Sequence, residues 1–335
     1  MATRYVGVHR DPQRPGDNRP TAAQIIKDEG IENKWTEKLV MITGCSSGLG
    51  IEIARALSAT GATLYLTVRD MERGRDALAE LLAACPDRIH LLQLDLSSLE
   101  SVRACAREFL AKCVPLNVLV CNAGVLNTPE GKTVDGVETQ LGINHLSHFL
   151  LFNLLAPKLS ESYIPGSNFK SRVVFLSSMA HRFGSVNFDN INLDGIYNPG
   201  QAYFQSKTAN IWTANEIERR YGPAGIHAWS VHPGGSDTGL HRHMSKERQE
   251  QLAQDERLAA VFKSPAQAAA TPVWAACSSV LEGRGGMYLE DCQIIGRWDP
   301  KDGPWAPGYA PHTYDQVSEA KLWTISERMA GLSPE

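Results

Sequence analysis

Short apolar runs that alternate with helical patterns constrain this fold more than any other feature of the sequence. The runs are rich in β-branched residues, and the segments between them place apolar residues at helical spacing. Short buried strands that alternate with helices form a parallel sheet covered on both faces, and right-handed crossovers make that sheet doubly wound. The predicted strands are residues 39–43, 63–68, 89–93, 118–121, 172–176 and 228–231. The predicted helices are residues 51–60, 73–84, 99–112, 140–159 and 202–220.

The domain organisation follows from the same pattern. No repeat and no linker-like break interrupts residues 37–300, so we predict a single α/β domain over residues 37–335. Residues 1–36 are predicted to be a partly irregular N-terminal extension. Its polar, proline-dotted residues 1–20 are expected to be mobile or draped over the surface. A short helix is expected over residues 21–32, with Thr21 as its N-cap.

The composition of the 335-residue chain argues against several functions. A formal net charge of −4 without a basic run gives no electrostatic basis for binding nucleic acid or a membrane surface. No stretch approaches the roughly 18 apolar residues of a membrane-spanning helix. Charge and proline stand where a signal peptide would have its apolar core. We therefore expect a soluble, cytoplasmic protein.

Cysteine and histidine spacing gives no sign of a metal site. The seven cysteines form no CxxC pair, and the ten histidines show no ligand pattern, so no bound metal is expected. Scattered thiols in a long chain are typical of a reducing compartment. His145 and His148 are expected to pack within their helix rather than to act in catalysis.

A glycine-rich turn follows the first predicted strand and precedes a helix. Glycine lets the backbone approach a pyrophosphate, and the free N–H groups and dipole of a helix N-terminus favour its charge. An ordinary turn with incidental glycines is the alternative, but the strand–turn–helix context favours a dinucleotide site. The predicted contacts in this turn are Gly44, Ser46, Ser47, Gly48, Leu49 and Gly50.

The TGxxxGxG spacing of this turn resembles that of the short-chain dehydrogenase/reductase family, which has the Rossmann fold. The segment Cys121-Asn122-Ala123-Gly124 is similar to the family's NNAG motif, with Cys121 in place of the first Asn. Asp95 is similar to the aspartate that hydrogen-bonds the adenine, and residues 232–238 resemble the segment at the nicotinamide end. The resemblance implies a nicotinamide dinucleotide that also contacts Asp95, Leu96, Asn122, Ala123, Gly124, Pro233, Gly234, Gly235 and Thr238.

The end of the second predicted strand bears on which dinucleotide binds. A site for NAD usually ends this strand with a carboxylate that holds the ribose 2′-hydroxyl. Here Val68 takes that position and Arg69 follows, with Arg73 one helical turn further on. A guanidinium suits the 2′-phosphate of NADP, so we predict NADP(H) bound through Arg69. The alternative is that Arg69 is a surface charge and Asp70 turns inward to select NAD.

Tyr203 and Lys207 are the residues from which an acid–base site is predicted, since positions i and i+4 share one face of a helix. A free tyrosine titrates near pH 10, and a neighbouring ammonium and an oxidised nicotinamide ring both lower its pKa. Ser178 ends the fifth predicted strand, at the edge where such sheets bind ligands. Each motif occurs by chance elsewhere, but their order behind the glycine turn makes joint coincidence improbable.

The family resemblance assigns roles to these residues. It implies that Tyr203 is the acid/base, that Lys207 tunes Tyr203 and contacts the cofactor, and that Ser178 orients and polarises the reacting oxygen. Asn144 is similar to the asparagine whose backbone kink holds a water in the proton relay. The four predicted catalytic residues are therefore Asn144, Ser178, Tyr203 and Lys207.

Further motifs narrow the resemblance to retinol dehydrogenases and the oxidoreductase part of WW-domain oxidoreductases, and similar soluble chains occur in fungal metabolism. These motifs are residues 68–70, 144–146, 177–181, 231–234 and 320–323. The resemblance implies an NADPH-dependent reductase of a bulky, fairly apolar ketone or aldehyde, in polyketide-type secondary metabolism. The alternatives are an NADP-dependent alcohol dehydrogenase of retinol- or steroid-like substrates and a non-catalytic NADP-binding regulatory protein.

The charged segment at residues 239–262 is helical in composition, and in the family it forms a lid over the substrate. Under that interpretation Leu240 and Met244 contact the substrate, and Met179 is a further candidate contact. The alternative is a solvated helix with no gating role. Family members often associate through the helix that carries Tyr203 and Lys207, so a homo-oligomer is one expected state. The C-terminal segment either covers that surface or forms a pocket wall.

Overall fold

The six predicted apolar runs form six adjacent strands of one eight-stranded sheet. The computed structural model describes residues 4–163, 169–244, 246–247, 250 and 254–332. Across the sheet the strands follow the order 3-2-1-4-5-6-7-8, and all neighbours are parallel except the last pair. Numbered along the chain, the strands are β1 (Leu39–Ile42), β2 (Thr63–Val68), β3 (Ile89–Gln93), β4 (Val118–Cys121), β5 (Ser171–Leu176), β6 (Ile226–His232), β7 (Met287–Glu290) and β8 (Gln293–Ile294).

Helices cover both faces of the sheet, because β1, β4, β5 and β6 are buried at every residue and need apolar partners on each side. Phe109, Phe149 and Trp212 belong to the apolar cluster on one face, and Ile53 and Trp274 to the cluster on the other. The predicted doubly wound parallel fold is confirmed. The helices within the described ranges are α1 (Val6–His9), α2 (Ala22–Asp28), α3 (Leu49–Ser58), α4 (Met71–Ala77), α5 (Ala79–Ala84), α6 (Leu99–Leu110), α7 (Thr139–Leu141), α8 (Ser147–Glu161), α9 (Pro199–Tyr221), α10 (Glu256–Val261), α11 (Pro265–Ala268), α12 (Ala270–Cys277) and α13 (Gln316–Met329).

Two of the predicted helices are interrupted. The helix predicted over residues 73–84 is two helices, α4 and α5, separated at Leu78, which has φ −112° and ψ 12° and a buried side chain. The helix predicted over residues 140–159 contains a π-helical turn at Gly142–Leu146 between α7 and α8. The apolar pattern continues through both interruptions, so it predicted one helix in each place.

The sequence pattern missed several elements in the C-terminal third. Strand β7 has four residues and ends in a glutamate, and it pairs with β6 only after a glycine-rich stretch at residues 283–286. Helix α12 is buried all round and therefore has no polar face to reveal its period. Helix α13, which ends the described chain, was also not predicted.

The N-terminal extension is packed against the domain where the structure describes it. Helix α2 starts at the predicted N-cap, where Thr21 Oγ1 accepts a hydrogen bond from Gln24 N. Ile25 and Ile26 of this helix are fully buried in the apolar cluster that contains α12. Arg19 is also buried, and its guanidinium donates to the carbonyls of Val261 (2.8 Å) and Phe262 (2.7 Å) at the end of α10.

The C-terminal segment both covers a helix and approaches the end of β5. Asn215 of α9 donates to Glu319 of α13 over 2.7 Å, so α13 lies along α9. The Arg182 guanidinium donates to the carbonyls of Pro304 (2.9 Å) and Ala306 (2.7 Å). This second contact brings residues 304–306 beside the turn that follows Ser178.

Candidate active site

A cleft of about 900 Å³ opens at the carboxyl ends of the parallel strands. It lies where the strand order reverses between β1 and β4, which is where sheets of this type bind ligands. Most of the predicted cofactor residues line it. These are Gly44, Ser46, Ser47, Gly48, Leu49, Arg69, Asp95, Leu96, Asn122, Ala123, Gly124, Tyr203, Lys207, Pro233 and Thr238.

The glycine turn brings backbone, rather than side chains, to the wall of the cleft. Gly44 has φ +73°, and a Cβ added there would lie 2.7 Å from Ala123 Cβ. Gly48 has φ +62° and is the N-cap of α3, so the helix N-terminus faces the cleft. Backbone N–H groups at such a terminus attract a phosphate. The cradle therefore fits the pyrophosphate of a dinucleotide.

Gly50 has a packing role that the spacing alone did not reveal. It does not line the cleft, and an added Cβ would lie 2.3 Å from the Gly44 carbonyl oxygen. Asn122 braces the same turn, since its side-chain amide donates to the Thr43 carbonyl over 2.8 Å. The Thr43 hydroxyl in turn accepts from the backbone N–H groups of Asn122 and Ala123, each at 3.0 Å.

The segment that follows β6 is only partly in the cleft. Pro233 and Thr238 line it, whereas Gly234 and Gly235 face inward. A Cβ added at Gly234 would meet Lys263, and one added at Gly235 would meet Phe262. The two glycines thus allow α10 and the residues after it to pack closely behind the turn.

The end of β2 presents cationic side chains to the cleft. Arg69 and Arg73 both line it, while Val68, at the position of the NAD-type carboxylate, is buried. Asp70 is the N-cap of α4, and its Oδ1 accepts from the backbone N–H groups of Glu72 (3.0 Å) and Arg73 (3.1 Å). Two carboxylates also line the cleft, that of Asp76 on α4 and that of Asp95 after β3.

Tyr203 and Lys207 lie at the opposite end of the cleft from Arg69. Both side chains are buried, and the Lys207 ammonium is 5.5 Å from the centroid of the Tyr203 ring. Lys207 Nζ donates to the carbonyl of Leu176, the last residue of β5, over 3.0 Å. The i, i+4 spacing predicted from the sequence therefore brings both groups to the end of β5.

Burial shifts the pKa values of both groups in the direction that favours the neutral side chain. It raises the pKa of Tyr203 to about 12, and a side-chain hydrogen bond with Ser178 opposes this rise. It lowers the pKa of Lys207 to about 7. The Ser178 hydroxyl also accepts from Ala180 N over 3.1 Å, which fixes it at the start of the turn Met179–Phe183.

Asn144 stands behind the cleft and is held by three hydrogen bonds. Its side chain accepts from Val125 N (2.8 Å) and donates to Val125 O (2.9 Å) and to Ser206 Oγ (3.0 Å). The backbone kink expected at Asn144 is the π-helical turn, in which Ser147 N bonds to the Gly142 carbonyl five residues back. Ser206 was not singled out in the sequence, although it lies on α9 between Tyr203 and Lys207.

Of the predicted substrate contacts, Leu240 lines the cleft. Met179 opens the turn that follows Ser178, and Met244 follows the turn Gly239–His243; neither of these described residues lines the cleft. Residues 245, 248–249 and 251–253 of the predicted lid lie outside the described residues. The described part of the segment contains α10, which starts at the N-cap Asp255.

Two wider searches cover the described part of the chain. No group of three or more His, Cys, Asp or Glu side chains in it could hold a metal ion. None of its helices combines the length and the apolar character that crossing a membrane requires.

A glycine cradle, a helix N-terminus and a buried Tyr–Lys pair define a dinucleotide-dependent oxidoreductase, and comparisons with known proteins specify the family. The short chain dehydrogenase family model matches residues 38–249. The short-chain dehydrogenase/reductase prx1 of Penicillium roqueforti is 49% identical over 98% of this chain and 96% of its own length. Human retinol dehydrogenase 11 is 37% identical over 88% of this chain and 86% of its own.

A solved structure agrees with these sequence comparisons. An uncharacterised protein from Mycobacterium paratuberculosis superposes with a TM-score of 0.63 at 32% identity, covering 89% of this chain and 96% of that one. The chain belongs to the short-chain dehydrogenase/reductase family of oxidoreductases, whose fold binds a nicotinamide dinucleotide. The predicted resemblance, including its fungal and retinol dehydrogenase branches, is confirmed.

Replacing Lys207 with methionine should stabilise the cofactor-free protein in a pH-dependent way. The pKa of Lys207 is about 7 when folded, against about 10.4 when unfolded, so unfolding takes up a proton between these pH values. The penalty for burying the cation is therefore full below pH 7 and disappears as the pH rises toward 10. We expect Lys207→Met to raise the free energy of unfolding by a few kcal/mol at neutral pH or below, with a gain that shrinks at alkaline pH.

Urea denaturation of the cofactor-free protein at several pH values measures this effect. Lys27→Met, which removes an exposed lysine, is the matched control and should change little at any pH. A gain for Lys207→Met that does not depend on pH would contradict a buried, depressed Lys207.

Proposed function

We propose that this protein is an NADPH-dependent reductase of a bulky, fairly apolar ketone or aldehyde. The observation that carries the proposal is one cleft with two different ends. Arg69 and Arg73 line one end, and Tyr203 and Lys207 line the other, with Ser178 hydrogen-bonded to Tyr203. The first end suits the 2′-phosphate of NADP, and the second suits proton transfer to a carbonyl oxygen.

The proposed chemistry assigns one proton and one hydride to the carbonyl group. The bound cofactor supplies a hydride, a proton with two electrons, to the carbonyl carbon. The Tyr203 hydroxyl donates its proton to the carbonyl oxygen, and the alcohol is formed. The Ser178 hydroxyl donates a hydrogen bond to the same oxygen, which stabilises the negative charge that develops there. The Lys207 ammonium stabilises the phenolate left on Tyr203.

The preference for NADP rests on three side chains at the end of β2. Val68 removes the carboxylate that would hold a ribose 2′-hydroxyl, and Arg69 provides a guanidinium next to it. Asp70, the alternative selector of NAD, is already committed to the backbone N–H groups of α4. Its role as an N-cap supports the assignment of Arg69 to the 2′-phosphate.

An apolar substrate is supported by an aromatic pair whose members lie close in sequence to Ser178 and Tyr203, although neither lines the cleft. Phe183 ends the turn that starts after Ser178, and Phe204 directly follows Tyr203. Their ring centroids are 5.6 Å apart, and Phe183 is 55% exposed, which is unusual for so large an apolar side chain. A polyketide-type ketone is the first substrate to test, as the proposed place in secondary metabolism implies.

A second candidate function is oxidation of a retinol-like alcohol by the same site in reverse. The 37% identity to human retinol dehydrogenase 11 favours it. In that direction Tyr203 accepts the proton of the alcohol, and its pKa must fall from about 12 before it can do so. The reductive direction makes no such demand, since a tyrosine with a raised pKa already carries its proton.

We also propose that the enzyme works in a reducing compartment such as the cytoplasm. All seven cysteines are free thiols, and five of them are buried. Burial raises the pKa of Cys105 and Cys292 to about 12, so these thiols resist oxidation.

NADPH consumption against ketones and aldehydes of graded size, with retinol and NADP⁺ run in parallel, tests the proposed reaction. We expect turnover on the bulky apolar carbonyls and a loss of at least about 100-fold in kcat for Tyr203→Phe, with NADPH binding retained. Tyr197→Phe is the matched control, because its hydroxyl bonds to the Thr128 carbonyl outside the cleft. Binding of NADPH without turnover of any compound would contradict the reductase and favour a regulatory protein.

Arg69→Ala tests the cofactor preference. A charge-assisted hydrogen bond to a phosphate contributes about 1.5–3 kcal/mol, so the variant should raise the KM for NADPH about 10- to 100-fold. The KM for NADH should change little. Arg75 is the matched control, because it is exposed on α4 and does not line the cleft. Arg75→Ala should leave both KM values close to those of the unaltered enzyme. Equal effects of Arg69→Ala on the two cofactors would rule out the assignment.

A further inference from the structure

His148 occupies a position that the proposed mechanism does not use, although it touches two parts of the site. It lies on the first turn of α8, directly after the π-helical turn, and its side chain is fully buried. Its Nδ1 is 3.0 Å from the carbonyl oxygen of Asn144. Its Nε2 is 2.8 Å from the hydroxyl of Thr43, at the end of β1.

The surrounding bonds determine which nitrogen carries the proton. The Thr43 hydroxyl accepts from both Asn122 N and Ala123 N, which uses its two lone pairs. Its own proton is then free to go to His148 Nε2, the nearer of its two acceptors, since the Val120 carbonyl is 3.5 Å away. His148 Nε2 therefore accepts, and Nδ1–H donates to the Asn144 carbonyl.

The imidazole stays neutral in this arrangement. Burial lowers the pKa of His148 to about 4, and the charge of Lys207 contributes to that shift. Because the neutral ring has one donor and one acceptor, it fixes which atom donates in each hydrogen bond of the chain. The chain runs from the backbone of Asn122 and Ala123, through Thr43 and His148, to the carbonyl of Asn144.

Both ends of this chain meet functional parts of the cleft. Asn122 and Ala123 line the cleft opposite the glycine turn. At the other end, a Cβ added at Gly124 would lie 3.1 Å from the Asn144 side-chain oxygen and 3.6 Å from Lys207 Nζ, so these two groups share one corner. The two nitrogens of His148 therefore contact two different parts of the site, and their contributions can be tested separately.

We propose that His148 is a positioning residue, whose Nε2 holds the cofactor-binding segment Asn122–Ala123 through Thr43 and whose Nδ1 holds the backbone carbonyl of Asn144, the residue whose side-chain oxygen lies near Lys207. The inference rests on the proposed function, because it takes Asn144 to have the relay role at Tyr203 that the family resemblance implies. It adds to that function a residue that acts only through others and touches neither cofactor nor substrate.

Two isosteric substitutions separate the two tasks. The amide of asparagine takes the place of Nδ1, and that of glutamine takes the place of Nε2. We expect His148→Asn to keep kcat but to weaken NADPH binding by about fivefold or more. We expect His148→Gln to keep NADPH affinity and to lower kcat by a similar factor. Thr43→Val should weaken NADPH binding as His148→Asn does, and Thr43→Ser should restore it.

Fluorescence titration of NADPH gives the affinity, and saturating turnover gives kcat. His145 is the matched control, because it is buried on the preceding π-helical turn but lies within hydrogen-bond distance of Ser326 and Thr213 instead. Its asparagine and glutamine variants should show no such crossover. If both His148 variants change the same parameter by the same factor, His148 is a packing residue and the inference is wrong.

The same design distinguishes this inference from the function on which it rests. If the unaltered enzyme turns over no carbonyl, the proposed function is wrong. The NADPH titrations then still test whether His148 Nε2 supports cofactor binding through Thr43. If His148→Gln binds NADPH more tightly than His148→Asn, the role of His148 Nε2 is supported even without turnover. Equal NADPH affinities of the two variants contradict that role. A variant that does not fold is recognised by its far-UV circular dichroism, and the Thr43 variants then test the same bond from its other partner.

Discussion

The pairing of β1 with a neighbour on each side is the constraint on which the rest of the molecule depends. Val40 lies opposite Leu64 of β2 on one side and Val118 of β4 on the other. Chain order reverses at this point, so the connections after β1 and β4 leave toward opposite faces and a crevice opens between them. The Thr43 hydroxyl ties the two strand ends together across it. Glycine turn, helix N-terminus and catalytic strand end all reach one cleft as a consequence.

Burial at the reacting end makes the chemistry depend on what binds there. Tyr203 and Lys207 each lie where their charged forms are disfavoured, with a pKa of about 12 and about 7. In the proposed enzyme, a bound dinucleotide would offer ribose hydroxyls to Lys207, and an oxidised nicotinamide ring would bring a positive charge near Tyr203. Both changes favour the charged forms. In the proposed enzyme the cofactor would therefore prepare both groups for proton transfer.

Much of this could be predicted from the sequence because local patterns carried it. The first six strands, the Thr21 cap and the residues around the glycine turn each follow from a periodicity or a motif of a few neighbouring residues. The break at Leu78, the π-helical turn and the short strand β7 depend on packing between distant segments, and so they left no local signal. Gly234 and Gly235 show the same limit, since a motif named them and tertiary packing turned them away from the cleft.

The buried polar residues were the hardest to predict. Arg19 sits in the N-terminal extension yet donates to carbonyls more than two hundred residues away in sequence. His148 has an unremarkable position in a helical pattern, and only the Thr43 and Asn144 bonds give it a role. The role of each of these residues depends on its hydrogen-bond partners, and the fold determines which partners it meets.

Titration of Tyr203, with and without NADP⁺, shows whether the cofactor activates this residue. The ultraviolet difference between the unaltered protein and Tyr203→Phe isolates this phenol among the nine tyrosines. We expect a pKa of about 12 in the cofactor-free protein and a fall of about two units or more when oxidised cofactor binds. A pKa that stays the same in both states would contradict the claim that the cofactor and Lys207 together activate Tyr203.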